Sequence, residues 1–270
     1  MRLFSAWFSY HPSNINPIVF NRTFRKVYAF LGELDDCIIG IGIVGCDLFL
    51  GKFDVSGSLK IIKILADVRG YDETLKEFGN SLKRLNMDYL DLFLIHWPRP
   101  IAFRDNYEEA NRETWRAFEH LLNEGYVRAI GVSNFLPHHL NNLLERTSIT
   151  PMVNQLEFHP GYMQKAAVDF CKQMGIQVEA WSPIGRARVL KEPLLMELAE
   201  KYQVSVAQIC IRFALQCGVL PLPKSSSGER MHQNLDVFGF DIEENDMYQL
   251  MTLPQIGWSG EHPDRERVRF

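Results

Sequence analysis

The sequence lacks the features that would assign it quickly to several large classes of protein. Its five cysteines (Cys37, Cys46, Cys171, Cys210 and Cys217) are odd in number and scattered. Neither a disulfide framework nor a zinc-ligand spacing can be built from them, which leaves reduced thiols in a cytoplasmic protein and no metal site. No apolar run approaches the ~18 residues of a membrane-spanning helix. The N-terminus has no charged region leading into a clean apolar segment and a cleavage site, so no secretory signal is read. Basic charge is not in excess: 29 lysines and arginines face 33 aspartates and glutamates, for a formal net charge of −4. A mildly acidic chain of this kind does not suit non-specific nucleic-acid binding.

What is present describes an ordinary globular chain of 270 residues, 46% hydrophobic and 23% charged. That length accommodates one large α/β domain. From about residue 60 onward short apolar runs alternate with helix-period segments. The strand candidates are Leu59–Leu65, Leu90–His96, Val127–Val132, Met152–Phe158, Ile176–Trp181 and Val219–Pro223. The clearest helix spans Asn106–Asn123, where Ala110, Trp115, Phe118, Leu121 and Leu122 fall on one face. Others are Asp72–Leu85, His138–Leu144, Gln164–Met174, Leu194–Tyr202 and Val206–Gln216.

Strands each followed by a helix imply parallel pairing through right-handed crossovers. An open doubly wound sheet and a closed barrel both fit that alternation. Six visible units, with room for two more strands ahead of residue 60, favour an α/β fold of the eight-stranded (β/α)8 barrel type as a single domain.

Residues 1–58 read differently from 59–270. They hold seven of the eighteen phenylalanines, a single glutamate (Glu33) and no sustained helical period. They also contain Gly40-Ile-Gly42-Ile-Val-Gly45, a match to the GxGxxG dinucleotide pattern. That pattern requires a strand before it and a helix after it. Asp35 and Asp36 truncate the first, and Gly51 and Gly57 spoil the second. The match reads as an apolar, glycine-containing strand within a run such as Cys37–Val44 and not as a cofactor loop.

In a barrel, functional groups gather where strands end and the following loops begin. Those positions hold His96-Trp97-Pro98, Ser133-Asn134, Gln155 with Glu157 and His159, Trp181-Ser182, and Lys224-Ser225-Ser226-Ser227-Gly228-Glu229-Arg230. The last group places hydroxyls and two cations before a helix expected to start near Glu229. Such a start can bind a phosphate monoester, and the same residues would also make a solvated, capped turn.

Three passages carry a resemblance to the aldo-keto reductases, NADPH-dependent (β/α)8-barrel enzymes. They are Ser81–Pro98 with its Leu-Ile-His-Trp-Pro ending, Gly125–Phe135 with Gly-Val-Ser-Asn-Phe, and Leu222-Pro-Lys-Ser followed by Arg230, Gln233 and Asn234. The resemblance runs from about Leu59 to the C-terminus. It implies that His96 orients the substrate carbonyl and that Lys63 is the catalytic lysine. It implies that Ser133, Asn134 and Gln155 bind the nicotinamide carboxamide, that Trp181 stacks on the nicotinamide ring, and that Ser182 lies by the pyrophosphate. Lys224, Ser225 and Arg230 match the 2′-phosphate site. Gln233, in place of the commoner glutamate, and Asn234 lie by the adenine, and Trp97 lines the substrate pocket.

The family's proton donor is a tyrosine in an Asp-x-Ala-x-x-Tyr-Gly-x-Glu passage before the lysine, and this chain has no such passage. No tyrosine lies between Phe30 and Lys63, and Tyr28 is the nearest before it. Residues 1 to about 58 therefore read as foreign to the family, as a shifted reading frame or a replaced segment would make them. Three functions follow as expectations. The first is an NADPH-dependent reductase of small aldehydes or ketones, a monomer or weak dimer without nucleic-acid or membrane partners. The second is a catalytically inactive NADPH-binding barrel with a regulatory or redox-sensing role. The third is a hydrolase built on Glu157 and a second carboxylate, which needs two carboxylates about 5–10 Å apart.

Overall fold

The computed structural model describes residues 42–43, 60–225 and 227–265. The chain divides into two compact units, Met1–Cys37 and Ile38–Phe270. The first, with Tyr28, Asp35 and Asp36, lies outside the described residues. All the described strands and helices belong to the second.

Seven strands form one sheet: β1 (Gly42–Ile43), β2 (Ile61–Ile64), β3 (Leu92–Ile95), β4 (Ile130–Ser133), β5 (Val153–Glu157), β6 (Gln177–Trp181) and β7 (Leu220–Leu222). Every pair is parallel, and the spatial order is the chain order. An open doubly wound sheet reverses direction at a switch point, whereas a barrel adds each strand beside the last. The unbroken order is therefore the wall of a (β/α)8 barrel, with seven strands among the described residues. Gly42 and Ile43 pair with Ile61 and Ile62, so these two residues of the glycine-rich run are strand, as their composition implies.

The helices are α1 (Tyr71–Leu85), α2 (Tyr107–Asn123), α3 (Pro137–Leu144), α4 (Lys165–Gln173), α5 (Pro193–Tyr202), α6 (Val206–Gln216), α7 (Gly228–Leu235) and α8 (Glu244–Met251). The first six lie within two residues of where apolar periodicity places them, and α7 starts one residue before Glu229, where a helix start is expected. Ser205 and Gln208 form a reciprocal capping box at the start of α6, where each side chain accepts the other's backbone N–H at 3.2 and 2.9 Å. Glu108 and Glu109 in the first turn of α2 complement the helix dipole. Helix α8 is not foreseen: its apolar residues Met247 and Leu250 are buried, but they are too few to announce a period.

Residues paired across parallel strands point to the same face, so the register sorts the side chains. Lys63 pairs with Leu94, Leu94 with Gly131, Gly131 with Val153 and Val153 with Gln177. Two residues further along each strand, the same face carries His96, Ser133, Gln155 and Glu179. The opposite face meets the helices. Phe93 stacks on Phe118 of α2 at 4.2 Å between ring centroids and meets Phe78 of α1 edge-on at 5.4 Å. Gly131 belongs to the inner face because nothing larger fits: a Cβ there would lie 2.5 Å from the backbone oxygen of Val153. Leu, Ile and Val fill the layer between sheet and helices, while the inner face collects polar groups toward the strands' carboxyl ends. Among the described residues no helix is long and apolar enough to cross a membrane.

Candidate active site

The carboxyl ends of β3, β4 and β6 are tied together through one amide. Asn134, next after β4, donates from Nδ2 to the carbonyl of His96 at 3.0 Å and accepts from the Trp181 indole N–H at 2.8 Å. It does so in the left-handed region, at φ 65, and Ser182 after β6 is there too, at φ 52. Asparagine tolerates that region. Serine does so at a cost of order 1 kcal/mol, the kind of strain that collects at functional sites. The Ser133 hydroxyl donates to the Gln155 carbonyl at 2.9 Å and accepts from Asn134 Nδ2 at 3.2 Å. Ser133, Asn134 and Gln155 are buried, whereas His96, Trp97, Trp181 and Ser182 are partly exposed. The predicted set therefore splits into a buried frame and an accessible rim.

His96 and Trp97 lie side by side, their ring centroids 5.9 Å apart. The Trp97 backbone is held by Arg69, a residue that the sequence does not single out. Arg69 is buried, and its guanidinium donates to the carbonyls of Leu65, Val68 and Trp97 at 3.0, 2.6 and 2.6 Å and to Asn111 Oδ1 at 3.2 Å. Asn111 in turn donates to the Pro98 carbonyl at 2.8 Å. The loop after Lys63 and the loop after His96 are thus fastened to one side chain. Burial lowers the Arg69 pKa to about 10, against the opposing pull of Asp67, so it stays charged at neutral pH.

Lys63 sits partly buried on the inner face of β2. Loss of solvation lowers its pKa to about 8, and the carboxylate of Glu179 works against that fall. Glu179 itself is 2% exposed. Burial raises its pKa, opposed by a hydrogen bond from Gln155 and by the charge of Lys63.

The phosphate-type turn lies at the start of α7. Ser227 caps the helix, its Oγ accepting from the Arg230 backbone N–H at 3.4 Å, and the Ser225 hydroxyl bonds back to the Ser227 carbonyl at 3.2 Å. Ser226 lies outside the described residues. Lys224, Arg230 and Gln233 are exposed, with Asn234 partly so. Among the described residues neither Lys224 nor Arg230 forms an ion pair. Two cations and the positive end of a helix can hold a phosphate, and the indole of Trp181 can receive a flat ring, with the Arg186 guanidinium 5.3 Å from its centroid. The residues present fit a dinucleotide with an extra phosphate.

Glu157 is not a hydrolytic acid. It is 1% exposed, and its two oxygens accept from the backbone N–H and the hydroxyl of Ser259 at 2.9 and 2.7 Å. The chain's C-terminal stretch is strapped to it across the ends of β5 and β6. Further along, Asp264 lies 3.0 Å from Nε2 of His138 and 2.8 Å from Nε2 of His139. These three groups have metal-like spacing. However, His139 Nδ1 accepts the Leu136 backbone N–H at 3.1 Å, which keeps the ring proton on Nε2 and withholds that lone pair from a metal. The cluster fastens the tail.

A parallel barrel with a polar rim at its strands' carboxyl ends, a partly buried lysine and a cationic helix start has the layout of a cofactor-binding barrel. Residues 69–253 match the model of the aldo/keto reductase family, and the chain belongs to that family. Glyoxal reductase of Bacillus subtilis (strain 168) is 46% identical over 75% of this chain and 70% of its own length. The 9,11-endoperoxide prostaglandin H2 reductase of Trypanosoma cruzi is 42% identical over 75% of this chain and 70% of its own. Among solved structures, an aldo-keto reductase of Bombyx mori in complex with NADP superposes with a TM-score of 0.66 at 32% identity, covering 72% of this chain and 67% of that one. These relatives are named for reductions, one of glyoxal and one of an endoperoxide.

Proposed function

We propose that this chain is an NADPH-dependent reductase of small aldehydes or ketones. The observation that carries the reading is a single stitched frame, Asn134 joining His96 to Trp181, set on the barrel face that also carries Lys63. In this reading Ser133, Asn134 and Gln155 hold the nicotinamide carboxamide. Trp181 takes the ring on its face, and Ser182 lies by the pyrophosphate. Lys224, Ser225 and Arg230 hold the 2′-phosphate, and Gln233 and Asn234 flank the adenine. The cofactor, when bound, supplies hydride to the carbonyl carbon.

The rest of the work falls to side chains of this chain. His96 orients the carbonyl oxygen by a hydrogen bond, and Trp97 beside it walls the substrate. The Lys63 ammonium stabilises negative charge growing on that oxygen. With a pKa of about 8 it is also a proton source of suitable strength near neutral pH, which matters where the family's tyrosine passage is absent. The catalytic reading is supported over a silent, regulatory barrel by relatives that are named for reductions. A cytoplasmic setting accords with the buried free thiols of Cys171, Cys210 and Cys217.

The test is the initial rate of NADPH oxidation by the full chain with a reactive aromatic aldehyde, beside NADPH affinity measured by fluorescence. Wild-type turnover with a loss of at least a hundredfold in Lys63→Met and His96→Ala, at unchanged NADPH affinity, is the expected result. NADPH binding without any turnover would overturn the catalytic reading in favour of the silent barrel.

A further inference from the structure

The loop that carries His96 is pinned at three consecutive carbonyls by three different side chains. Asn134, next after β4, donates from Nδ2 to the His96 carbonyl at 3.0 Å. Arg69, in the loop after β2, donates from Nη2 to the Trp97 carbonyl at 2.6 Å. Asn111 of α2 donates from Nδ2 to the Pro98 carbonyl at 2.8 Å. The peptide plane leaves each residue only two soft dihedrals, and a carbonyl held in place removes the freedom of one of them. The backbone that aims the His96 and Trp97 side chains is therefore set from three sides.

Arg69 is the middle of the three, and it does more than hold Trp97. Four of its five N–H groups donate: Nε to Asn111 Oδ1 at 3.2 Å, Nη1 to the carbonyls of Leu65 and Val68 at 3.0 and 2.6 Å, and Nη2 to Trp97. The side chain is buried, and a buried cation is tolerated only when it is hydrogen-bonded. All four acceptors are neutral, so what these bonds exploit is the shape of the group. A rigid planar fork reaches the loop after β2, the loop after β3 and helix α2 at once, which an ammonium on a flexible stem does not. Leu65 lies two residues beyond Lys63, so the lysine's strand and the histidine's loop share one anchor.

We propose that Arg69 is a positioning residue for carbonyl reduction: through the backbone of Trp97 it sets the direction of the His96 and Trp97 side chains and keeps them in register with Lys63. With the Trp97 carbonyl released, the loop relaxes and the imidazole drifts from the oxygen it orients. A misplacement of about 1 Å is enough to cost about a hundredfold in rate. The frame of Asn134 with Trp181 and the Gln155 backbone is held by other bonds and keeps its cofactor affinity. The consequence for reduction rests on the proposed role of His96, but the pinning of the loop does not.

The experiment compares the full chain with Arg69→Lys, which keeps the charge and loses the fork, and with Arg69→Gln, which loses both. The first readout needs neither cofactor nor substrate: fluorine NMR of the chain labelled with 5-fluorotryptophan, which reports its five tryptophans separately. The Trp97 line, assigned through Trp97→Phe, is expected to move or split in both variants while the lines of Trp115 and Trp181 hold. The second readout is steady-state reduction of an aromatic aldehyde. There kcat is expected to fall about a hundredfold while NADPH affinity stays within about twofold. Lysine is expected to rescue no better than glutamine, because the geometry and not the charge is what is lost.

An unmoved Trp97 line in folded Arg69→Lys overturns the proposal, as does an unchanged kcat where the wild type turns over. A merely structural role would shift the Trp115 and Trp181 lines together with Trp97 and weaken NADPH in step with kcat, and that result overturns it too. Should neither Arg69 variant fold, Asn111→Ala frees the Pro98 carbonyl and Arg69 Nε. It is expected to move the same line with about a tenfold loss of kcat, and an unmoved line there is equally fatal. A moved Trp97 line in a chain whose wild type reduces no aldehyde would keep Arg69 as the anchor of this loop and sink the reductase reading alone.

Discussion

Ser259→Ala tests whether the C-terminal strap is held by Glu157. The wild-type carboxylate, 1% exposed, accepts two bonds from one residue, the N–H at 2.9 Å and the hydroxyl at 2.7 Å. Removing the hydroxyl keeps the first and leaves Oε2 buried without its donor. Hydrogen bonds to charged groups contribute about 1.5–3 kcal/mol, and the stranded oxygen places the loss in the upper part of that range. The segment around it has local fastenings of its own. Ile256 donates to the Gly161 carbonyl at 3.2 Å, Trp258 stacks on Tyr162, Arg188 donates to the Trp258 carbonyl, and Glu261 pairs with Arg186 at 3.4 Å. The cost is therefore expected as local opening of residues 256–261 and not as global unfolding. A loss of about 2.5 kcal/mol is a factor of about 70 in opening, read as faster amide exchange at Ser259 and Glu261, with the exchange of β3–β5 unchanged. Because the strap crosses the ends of β5 and β6, KM for a bulky aldehyde is expected to shift while NADPH affinity holds. Ser259→Thr, which keeps the hydroxyl, is the control. Exchange within twofold of wild type in Ser259→Ala would refute the clamp.

Three further outcomes are expected from other contacts. Lys224→Ala and Arg230→Ala are each expected to weaken NADPH about tenfold and to leave NADH unchanged, measured by fluorescence titration, because each removes a cation that only the extra phosphate meets. Burial lowers the His139 pKa from 6.5 to about 4, so the unfolded chain takes up the proton more readily than the folded one between those values. Stability is then intact above pH 6.5 and lost as pH falls toward 4, by up to about 3 kcal/mol in urea melts, and His139→Asn should flatten that slope. Asp264, its pKa lowered chiefly by the hydrogen bond from His138 against the effect of burial, adds loss in the same direction at still lower pH. Gly257→Ala should lower the melting temperature by several degrees: its φ is +70, and a Cβ would lie 2.5 Å from Val189 Cγ1.

The strands and most helices could be read from the chain because each carries its own signal. A run such as Leu92–Ile95 is apolar on both faces because it is covered on both, and α2 announces itself through the spacing of Ala110, Trp115, Phe118 and Leu121. The site positions were legible as well, since His96 and Asn134 follow directly on strands, Trp181 ends one, and Lys224 lies two residues beyond another. What stayed hidden are side chains whose meaning depends on partners far along the chain. Arg69 reads as an ordinary loop charge until Trp97, 28 residues on, is seen to need its guanidinium. Glu157 looked like a possible acid because its position is right for one, and Ser259, 102 residues away, decides otherwise.

Glu179 is the sharpest case of that dependence. In the run Gln-Val-Glu-Ala-Trp it occupies a strand position where alternation alone would assign either face, and a lone carboxylate there reads as a solvated edge. The ladder sets it beside Gln155, whose amide it accepts from. A barrel makes this possible because curling the sheet converts residues that are strangers in sequence into neighbours in one low-dielectric space. The frame around Asn134 and the buried carboxyl of Glu179 share Gln155. Its backbone carbonyl receives the Ser133 hydroxyl and the Asn134 N–H, while its side chain holds the carboxylate.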